Sequence, residues 1–426
     1  MEVLKTIGKA WKIPDIRKKI IFTLLMLVVF RIGSNIPVPG INREILDQAF
    51  NGDSGLFELF DLFSGGAFSN LTIFALSITP YITASIVLQL LTIAIPALER
   101  LAKEGVEGRK KIARYTRYLT VALAFVQAIG MTLGIFKQYL LNTDFFHITV
   151  VVFVLSAGTA FLMWLGELIN ENGIGNGISL IIFGGIVARV PSAVMAAYSN
   201  YKSGAISLVG IFLFLAFAIL VIIVIIEIQQ GQRRIPVQYA KRVVGRKMYG
   251  GQSTHIPLKV NQAGVIPVIF GMSLLQLPQT LVYFWPNTGF SEFMTKWLST
   301  NGTPGVYFYS IFYAILIIFF TYFYTAVTFN PMEVADNMKA NGGFVPGIRP
   351  GRPTVEYLQK VMNRITFTGA IFLAVIAVMP LIIGNFTAID FKFGGTSLLI
   401  AVGVALDTMK QLENQMVMRN YQGFLK

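Results

Sequence analysis

Long apolar runs and short polar breaks alternate along most of this chain. A helix needs about 20 apolar residues to cross a hydrocarbon core roughly 30 Å thick. Ten runs approach that length, which predicts an all-α membrane protein with ten spans. We place the spans at residues 20–36, 71–94, 118–136, 148–169, 178–194, 206–228, 260–284, 307–329, 365–383 and 396–410.

The ten spans divide into two groups of five, an organisation that many membrane transporters use. The predicted N-terminal half covers residues 20–194 and the C-terminal half covers residues 206–410. An outer hinge loop at 195–205 joins them. The remaining segments are two tails and two long loops, at 1–19, 411–426, 229–259 and 330–364.

Lysine and arginine are distributed very unevenly between the two sides of the predicted membrane. With the N-terminus inside, 28 of the 35 cations lie on the cytoplasmic side and only five on the other. Short cytoplasmic loops collect these residues in membrane proteins, so both termini are predicted to be cytoplasmic. That orientation requires an even number of spans, in agreement with ten.

The composition supports a membrane protein without catalytic chemistry. The chain is 54% apolar and only 13% charged, whereas soluble domains carry about a quarter charged residues. It has no cysteine, which excludes disulfides and thiolate metal sites. His147 and His255 fall on opposite sides of the predicted membrane, and no phosphate-binding loop or nucleophile motif is visible. We therefore expect neither enzyme activity nor a cofactor.

No aspartate or glutamate lies near the middle of a predicted span. An ion-driven carrier would need such a group, because ionisable residues deep in a bilayer are functional candidates. Arg31 and Arg189 lie toward the outer ends of their spans, where long side chains reach the interface. A coupled secondary transporter is therefore disfavoured relative to a passive channel. A membrane scaffold or receptor without a pore remains the second alternative.

A short segment before the second span, residues 56–70 (LFELFDLFSGGAFSN), has apolar residues on one side of a helical turn. Glu58 and Asp61 occupy the other side, and Gly65-Gly66 ends the helix. The segment is too short to span a bilayer. Two interpretations follow: an amphipathic helix on the membrane surface, or a re-entrant piece buried in the bundle.

Two long cytoplasmic loops are basic. The 229–259 loop alternates enough to predict an extended hairpin, and the 330–364 loop contains a rigid turn that presents Arg349. Positive-inside bias explains the charge but not loops of about 30 residues, since most connections are short. Such loops suit docking of an acidic protein, anionic lipid or ribosomal RNA phosphates. The basic residues that project from the hairpin are Arg233, Arg234, Lys241, Arg242, Arg246 and Lys247.

Eight sequence blocks, distributed in order over nearly the whole chain, carry a family resemblance. They are LFxLFxLFSGGAxSxxxIFALxITPYITASIxxQLL (56–91), GTAFLMWLGE (158–167), GIGNGISLIIFGGIV (173–187), GQRRIPVQYAKR (231–242), QSTHIPLKVNQAGVIPVIF (252–270), FNPMEVADNMK (329–339), GGFVPGIRPG (342–351) and GGTSLLI (394–400). In these blocks the chain resembles the bacterial SecY family, the central subunit of the Sec protein-conducting channel.

The resemblance implies two pseudo-symmetric five-helix halves that form an hourglass and open laterally to lipid. It implies that residues 56–70 are a re-entrant plug helix that closes the outer funnel. The plug residues it implies are Leu56, Phe57, Phe60, Phe63, Ser64, Gly65 and Gly66. The positions that match the family's pore ring are Ile82, Ile86, Ile178, Ile182, Ile269 and Ile400.

The resemblance also implies a lateral gate between spans two and seven and a set of partners. We expect a passive pore in the bacterial cytoplasmic membrane that passes unfolded secretory polypeptides and releases signal sequences and membrane segments into lipid. The expected partners are the SecE and SecG subunits, the SecA ATPase, the ribosome with its RNA phosphates, signal peptides, nascent chains and the lipid bilayer. The implied gate residues are Gln89, Gln127 and Asn261. The implied docking residues are Arg349, Arg233, Arg234, Arg242 and Arg246.

Overall fold

The structure, a computed structural model, is predominantly helical with a small sheet. The residues it describes are 8, 10–41, 64–134, 136–204, 207–239, 242–244, 247–249, 253–282, 288–298, 304–386 and 395–423. The helices are α1 (Pro14–Gly33), α2 (Thr79–Ala94), α3 (Pro96–Lys103), α4 (Val106–Gly134), α5 (Phe145–Asn172), α6 (Gly177–Ala188), α7 (Val190–Lys202), α8 (Leu208–Gln230), α9 (Ile266–Val282), α10 (Gly289–Trp297), α11 (Gly305–Thr328), α12 (Pro331–Ala340), α13 (Arg352–Phe386) and α14 (Gly395–Gly423). The strands are β1 (Gln232–Tyr239), β2 (Arg242–Val244), β3 (Lys247–Tyr249), β4 (Ser253–Lys259) and β5 (Gly343–Phe344).

Each of the ten predicted spans overlaps a helix, although several bounds differ; the helices are α1, α2, α4, α5, α6, α8, α9, α11, α13 and α14. Within the described residues, six helical stretches are long and apolar enough to cross a membrane on their own. A seventh candidate joins α2 and α3 across a bend of 101°. The number of ten membrane crossings therefore stays a prediction.

The second span begins later than the sequence pattern indicates. Residues 71–78 form turns, and α2 starts at Thr79 with a proline in its first turn, a position that proline favours. The preceding chain is held by residues 36–38, because the Val38 amide donates to the Leu71 carbonyl at 2.9 Å. The Ile73 amide likewise donates to the Ile36 carbonyl at 3.0 Å. These bonds keep 71–78 out of the helix.

The predicted outer hinge loop at 195–205 is largely helical. Helix α7 continues through it to Lys202, because residues 195–202 contain no glycine or proline that would interrupt a helix. The helix ends just before Gly204, which has a φ of +78°, as expected of a glycine that terminates a helix. The two halves are thus linked by a helical extension of the fifth span.

One apolar core joins the two halves. In the N-terminal half α2 packs on α4, and α4 packs on α5; in the C-terminal half α11 packs on α9 and α13. Helix α9 also packs against α2 and α4 of the other half, and α14 packs against α6. A single cluster of buried side chains therefore includes Phe30 and Leu165 from the first half with Tyr313 and Leu399 from the second.

The predicted hairpin in the 229–259 loop is confirmed. Strand β1 pairs antiparallel with β4, with Ile235 opposite Ile256. Strand β1 also pairs with β5 of the 330–364 loop, where Gln238 lies opposite Phe344. The sheet order β4-β1-β5 therefore connects two loops that are about 100 residues apart in the sequence.

We expect Gly158→Ala to destabilise the fold. A Cβ atom at this position of α5 would overlap the carbonyl oxygen of Ile73, which is backbone and cannot turn away. Overpacking typically costs about 1–3 kcal/mol, more than the roughly 1 kcal/mol that alanine gains over glycine in a helix. The thermal unfolding midpoint in detergent should fall by several degrees.

The matched control is Gly289→Ala, since nothing lies within 4 Å of a Cβ atom built on Gly289. That variant should retain the midpoint of the unmodified protein. Equal midpoints for all three proteins would contradict the close approach of α5 to the 71–78 turns.

Candidate functional site

The six isoleucines of the predicted ring all belong to the large apolar core or pack against it. Two lie one turn apart on α2, two lie one turn apart on α6, and α9 and α14 contribute one each. Their exposed fractions range from 0% for Ile400 to 8% for Ile269, except that Ile178 is only partly buried. The full set is Ile82, Ile86, Ile178, Ile182, Ile269 and Ile400, all members of or packed against one cluster.

Local sequence places the α6 isoleucines at this point. The Asn176 side chain caps the helix by accepting from the Ser179 amide at 3.2 Å, as N-cap residues do. Asn170, at the end of α5, accepts from the Gly177 amide at 2.8 Å. These two bonds fix where α6 begins, so Ile178 and Ile182 fall in its first two turns on one face.

The plug segment is described only at its C-terminal end. Leu56, Phe57, Phe60 and Phe63 lie outside the described residues, whereas Ser64, Gly65 and Gly66 lie within them. Ser64 is fully buried, and its hydroxyl oxygen accepts from the Phe68 amide at 3.0 Å. A buried end fits the re-entrant interpretation better than a helix on the membrane surface.

An arginine contact to this segment was not anticipated from the sequence. The Arg31 Nη1 atom donates to the Gly65 carbonyl at 2.8 Å. The sequence interpretation took Arg31 as a residue that only reaches the interface. The position of Arg31 at the outer end of a span was the only hint in the sequence. Its partner is a backbone carbonyl, which no residue type in the sequence identifies.

The three predicted gate residues lie on α2, on α4 and just before α9. No hydrogen bond between them is seen among the described residues. Gln89 is exposed, and its Nε2 atom lies 3.5 Å from the Ser85 hydroxyl. Gln127 is 9% exposed and Asn261 is 5% exposed. The side-chain Nδ2 atom of Asn261 donates to the Gly264 carbonyl at 2.9 Å, while the side-chain Oδ1 atom has no partner.

Helix α9 also carries a buried polar row that the sequence analysis did not single out. Ser273 and Gln276 are 1% and 2% exposed, and neither the hydroxyl nor either amide atom has a hydrogen-bond partner. They follow Ile269 by four and seven residues, which places all three on one helix face. Polar residues inside an apolar span were the signal, and they continue the face of α9 that carries Ile269 toward the C-terminal end of the helix.

The two basic loops form one surface. Ile235 and Val237 of β1 are each 1% exposed and pack with Met338 and Leu358 from the other loop. The alternate positions of β1 point outward, so Arg234 is exposed. Arg233 at the start of the strand is exposed as well. The side chain of Arg242 and the whole of Arg246 lie outside the described part of the chain.

Arg349 lies at the tip of a hydrogen-bonded turn. The Ile348 amide donates to the Val345 carbonyl at 3.0 Å. The Thr354 hydroxyl donates to the Arg349 carbonyl at 2.9 Å, which fixes the backbone where α13 begins. The Arg349 side chain is exposed. The predicted presentation of this arginine on a rigid turn therefore agrees with the structure.

On this joint surface Arg352 pairs with Glu356 at 3.8 Å, whereas some other exposed cations have no ion pair among the described residues. In the other large basic loop, 95–117, four of the cations pair with carboxylates, for example Lys103 with Glu99 at 2.6 Å and Arg117 with Glu167 at 2.6 Å. The hydrogen bond from Lys103 lowers the pKa of the Glu99 carboxyl. Among the residues described, Arg233 and Arg349 make no ion pair, so their charges are available to a partner.

No metal chemistry is indicated in the described part of the chain. No group of three His, Asp or Glu side chains lies close enough there to hold an ion. The arrangement offers a buried apolar cluster, a polar row on α9 and a basic surface.

Comparison with known proteins identifies the family. A family model described as SecY matches residues 72–409. The chain belongs to the SecY family. It is 49% identical to the protein translocase subunit SecY of Streptomyces coelicolor, with 100% of both chains covered. It is 48% identical to the subunit of the same name from Aquifex aeolicus, with 98% of each chain covered.

Solved structures share the fold. One described as a protein conducting channel matches with a TM-score of 0.69 at 20% identity, covering 94% of this chain and 93% of the other. A channel in a canine ribosome complex from the endoplasmic reticulum matches with a TM-score of 0.65 at 19% identity, covering 94% and 93%. Together with SecY family membership, these matches confirm the predicted all-α polytopic membrane fold. They also confirm the role as a protein-conducting channel subunit, which is not an enzyme.

We expect Val237→Asp to separate the 229–259 loop from the 330–364 loop, which together form the joint loop surface. A carboxylate at this buried position would have to enter the apolar cluster beneath the sheet, which is strongly unfavourable. Local opening would expose the backbone after Arg234 to trypsin. Limited proteolysis followed by mass spectrometry should show cleavage there at least about tenfold faster than in the unmodified protein.

The control is Gln238→Asp, which introduces the same side chain at the adjacent, exposed position of β1. Its cleavage rate should stay unchanged. Equal rates for both variants would show that the buried face of β1 does not hold the two loops together.

Proposed function

We propose that this chain passes unfolded secretory polypeptides across the bacterial cytoplasmic membrane through the isoleucine ring, and releases hydrophobic segments sideways into lipid. The observation that carries the proposal is that six isoleucines from both halves lie in or against the one apolar core that the halves share. The two bacterial relatives are named translocase subunits, in agreement with this role.

The isoleucine ring is suited both to close the pore at rest and to widen around a passing polypeptide. A narrow constriction of branched apolar side chains excludes water and ions by dewetting. Ile82, Ile86, Ile178 and Ile182 belong to the N-terminal half, whereas Ile269 and Ile400 belong to the C-terminal half. A small separation of the halves would therefore widen the constriction around a passing chain without rearranging either half.

Lateral release would occur between α2 and α9, which meet across the same boundary. A hydrophobic segment in the pore would gain roughly 25 cal/mol for each Å² of apolar surface that leaves water. Gln127 and Asn261 would flank this exit with Gln89. The unpartnered Asn261 Oδ1 atom would find a donor in water or in a peptide group once the gate opened.

Both termini would face the cytoplasm, as the charge distribution predicts. The two long loops would then lie on the cytoplasmic side and present Arg349, Arg233 and Arg234, with Arg242 and Arg246 in the same loop. Because the sequence shows no nucleotide-binding motif, the driving energy would come from a partner.

The partners we propose are the SecA ATPase and the ribosome, including its RNA phosphates, at the joint loop surface. A SecE subunit would clamp the two halves and SecG would bind at the periphery. Arg233 and Arg349, which are exposed and make no ion pair among the described residues, support docking of an acidic surface or phosphates. The canine relative was solved in a ribosome complex.

Replacing Ile182 with glycine should make the resting channel leak ions. The isoleucine is 1% exposed in the core, and its removal would leave room for water in the constriction. Single-channel recording in planar bilayers should show frequent openings without any translocating chain. The matched control is Ile223→Gly on α8, since Ile223 is 55% exposed and should face lipid. Unchanged conductance for Ile182→Gly would reject the ring assignment and favour a scaffold without a pore.

Arg349→Glu should reduce ATPase-driven export at least about tenfold, because reversing a charge at a docking contact replaces attraction with repulsion. The assay is translocation of a secretory protein into proteoliposomes that contain purified partners. Arg100→Glu makes the same charge change on the separate 95–117 loop and should export normally. Normal export by Arg349→Glu would exclude this turn as the docking point.

A further inference from the structure

The short helix α10 has two faces of opposite character. Large apolar side chains recur along it at spacings of three and four residues, which places them on one side, while exposed polar side chains occupy the other. The apolar set is Phe290, Phe293, Met294 and Trp297, and the polar set is Glu292, Thr295 and Lys296. The helix has nine residues, about 13 Å in length at 1.5 Å per residue, and is therefore too short to cross a membrane.

The apolar face of α10 is only partly covered by the rest of the chain. Helices α9 and α11 both pack against α10, yet Phe290 remains 40% exposed and Phe293 remains 52% exposed. Two large apolar side chains on one exposed face are typical of a surface that contacts lipid or another protein.

A row of apolar side chains joins this face to the exposed surface of α11. The Trp297 ring lies edge-on to the Phe308 ring with 4.7 Å between the centroids, and its centroid is 6.5 Å from that of Phe293. Phe308 is 49% exposed, and Ile311 and Ile315 are 59% and 55% exposed one and two turns further along α11. Because α11 begins a stretch that is apolar enough to cross a membrane, this row continues a surface that faces lipid.

Helix α10 lies at the level where that span begins. Phe308 belongs to the first turn of α11, so its contact with Trp297 places α10 beside the end of the span, on the predicted outer side. Tryptophan is enriched at this boundary between membrane and water. The Lys296 Nζ atom lies 5.8 Å from the centre of the Trp297 ring, a distance at which the ring attracts a cation.

The C-terminal end of α10 is bonded to α9. The Gln279 Nε2 atom donates to the Leu298 carbonyl at 3.2 Å, and the Leu298 amide donates to the Met294 carbonyl at 2.8 Å. Gln279 is 6% exposed, and Leu298 packs against the large apolar core. An interaction that fixes α10 therefore also restrains the end of α9.

We propose that α10 is an interfacial helix whose apolar face lies in the outer leaflet of the bilayer, and that it ties the C-terminal end of α9 to that surface. Amphipathic helices of this kind bury their apolar face about 5–10 Å into the boundary between headgroups and acyl chains. Lipid is favoured over a protein partner because the exposed phenylalanines continue the apolar row of α11. The inference goes beyond the proposed function and holds whether or not α9 lines a lateral exit.

Fluorescence quenching tests the contact with lipid. Phe293→Cys would carry a nitrobenzoxadiazole label in the full-length chain, which has no other cysteine, purified with its co-purifying subunits and reconstituted into phosphatidylcholine–phosphatidylglycerol vesicles. The matched control is Thr295→Cys, which places the same label on the polar face. With iodide on both sides of the membrane, the label at 293 should be quenched at least about threefold less than the label at 295, and at least about threefold more by lipids that carry a nitroxide near the headgroup.

Two outcomes would overturn the lipid contact. Equal quenching by iodide at positions 293 and 295 would show that both faces of α10 lie in water. Protection of position 293 from iodide, without quenching by the nitroxide lipid, would show that protein covers the apolar face. Phe290→Cys on the same face should repeat the result at 293, which guards against a local effect of one substitution.

Hydrogen exchange tests the tie to α9. Phe293→Glu should draw α10 into water and break the bond between Gln279 and Leu298, so that amides of residues 279–282 exchange at least about tenfold faster than in the unmodified protein. Thr295→Glu introduces the same carboxylate on the polar face and should leave their exchange unchanged. Exchange is followed by mass spectrometry in the same vesicles. An unchanged rate in Phe293→Glu would show that α10 does not restrain the end of α9.

Discussion

The structure depends on packing between two halves that must hold together and still part. Apolar side chains from both halves, including Ile182 and Ile269, share one core. Because lipid tails are as apolar as these side chains, helices in a bilayer associate through close packing rather than through exclusion of water. A contact built from packing alone can be exchanged for contacts with another apolar segment at little net cost, which is what a lateral exit requires.

The positions that resist movement lie mostly within each half. Gly158 against Ile73 and Gly65 against Gly185 bring backbones into direct contact inside the N-terminal half. In the C-terminal half the sheet joins the two basic loops above a separate apolar cluster. Helix α9, which packs against helices of both halves, carries buried polar atoms without partners, such as those of Gln276.

Part of this was predictable from the sequence, because long apolar runs indicate helices and alternation indicates a hairpin. The ten segments contain helices and the 229–259 loop is a hairpin, whereas the isoleucine positions came from the resemblance and their role as a ring stays a prediction. Contacts made by backbone atoms left no trace in the pattern. The bond from Arg31 to Gly65, the pairing of β1 with β5 and the late start of α2 at Thr79 all depend on tertiary approach. The helix through 195–202 shows the same limit, since residues polar enough to suggest a loop can also continue a helix.

The most direct measurement of the central claim is crosslinking of a stalled secretory chain to single cysteines, which this cysteine-free sequence permits without background. Cysteines at positions 86, 182 and 269 would report on the ring, and one at the exposed position 223 of α8 would serve as reference. The account predicts that the stalled chain crosslinks to all three ring positions and not to the reference. Crosslinking to position 223 with none at the ring would contradict it.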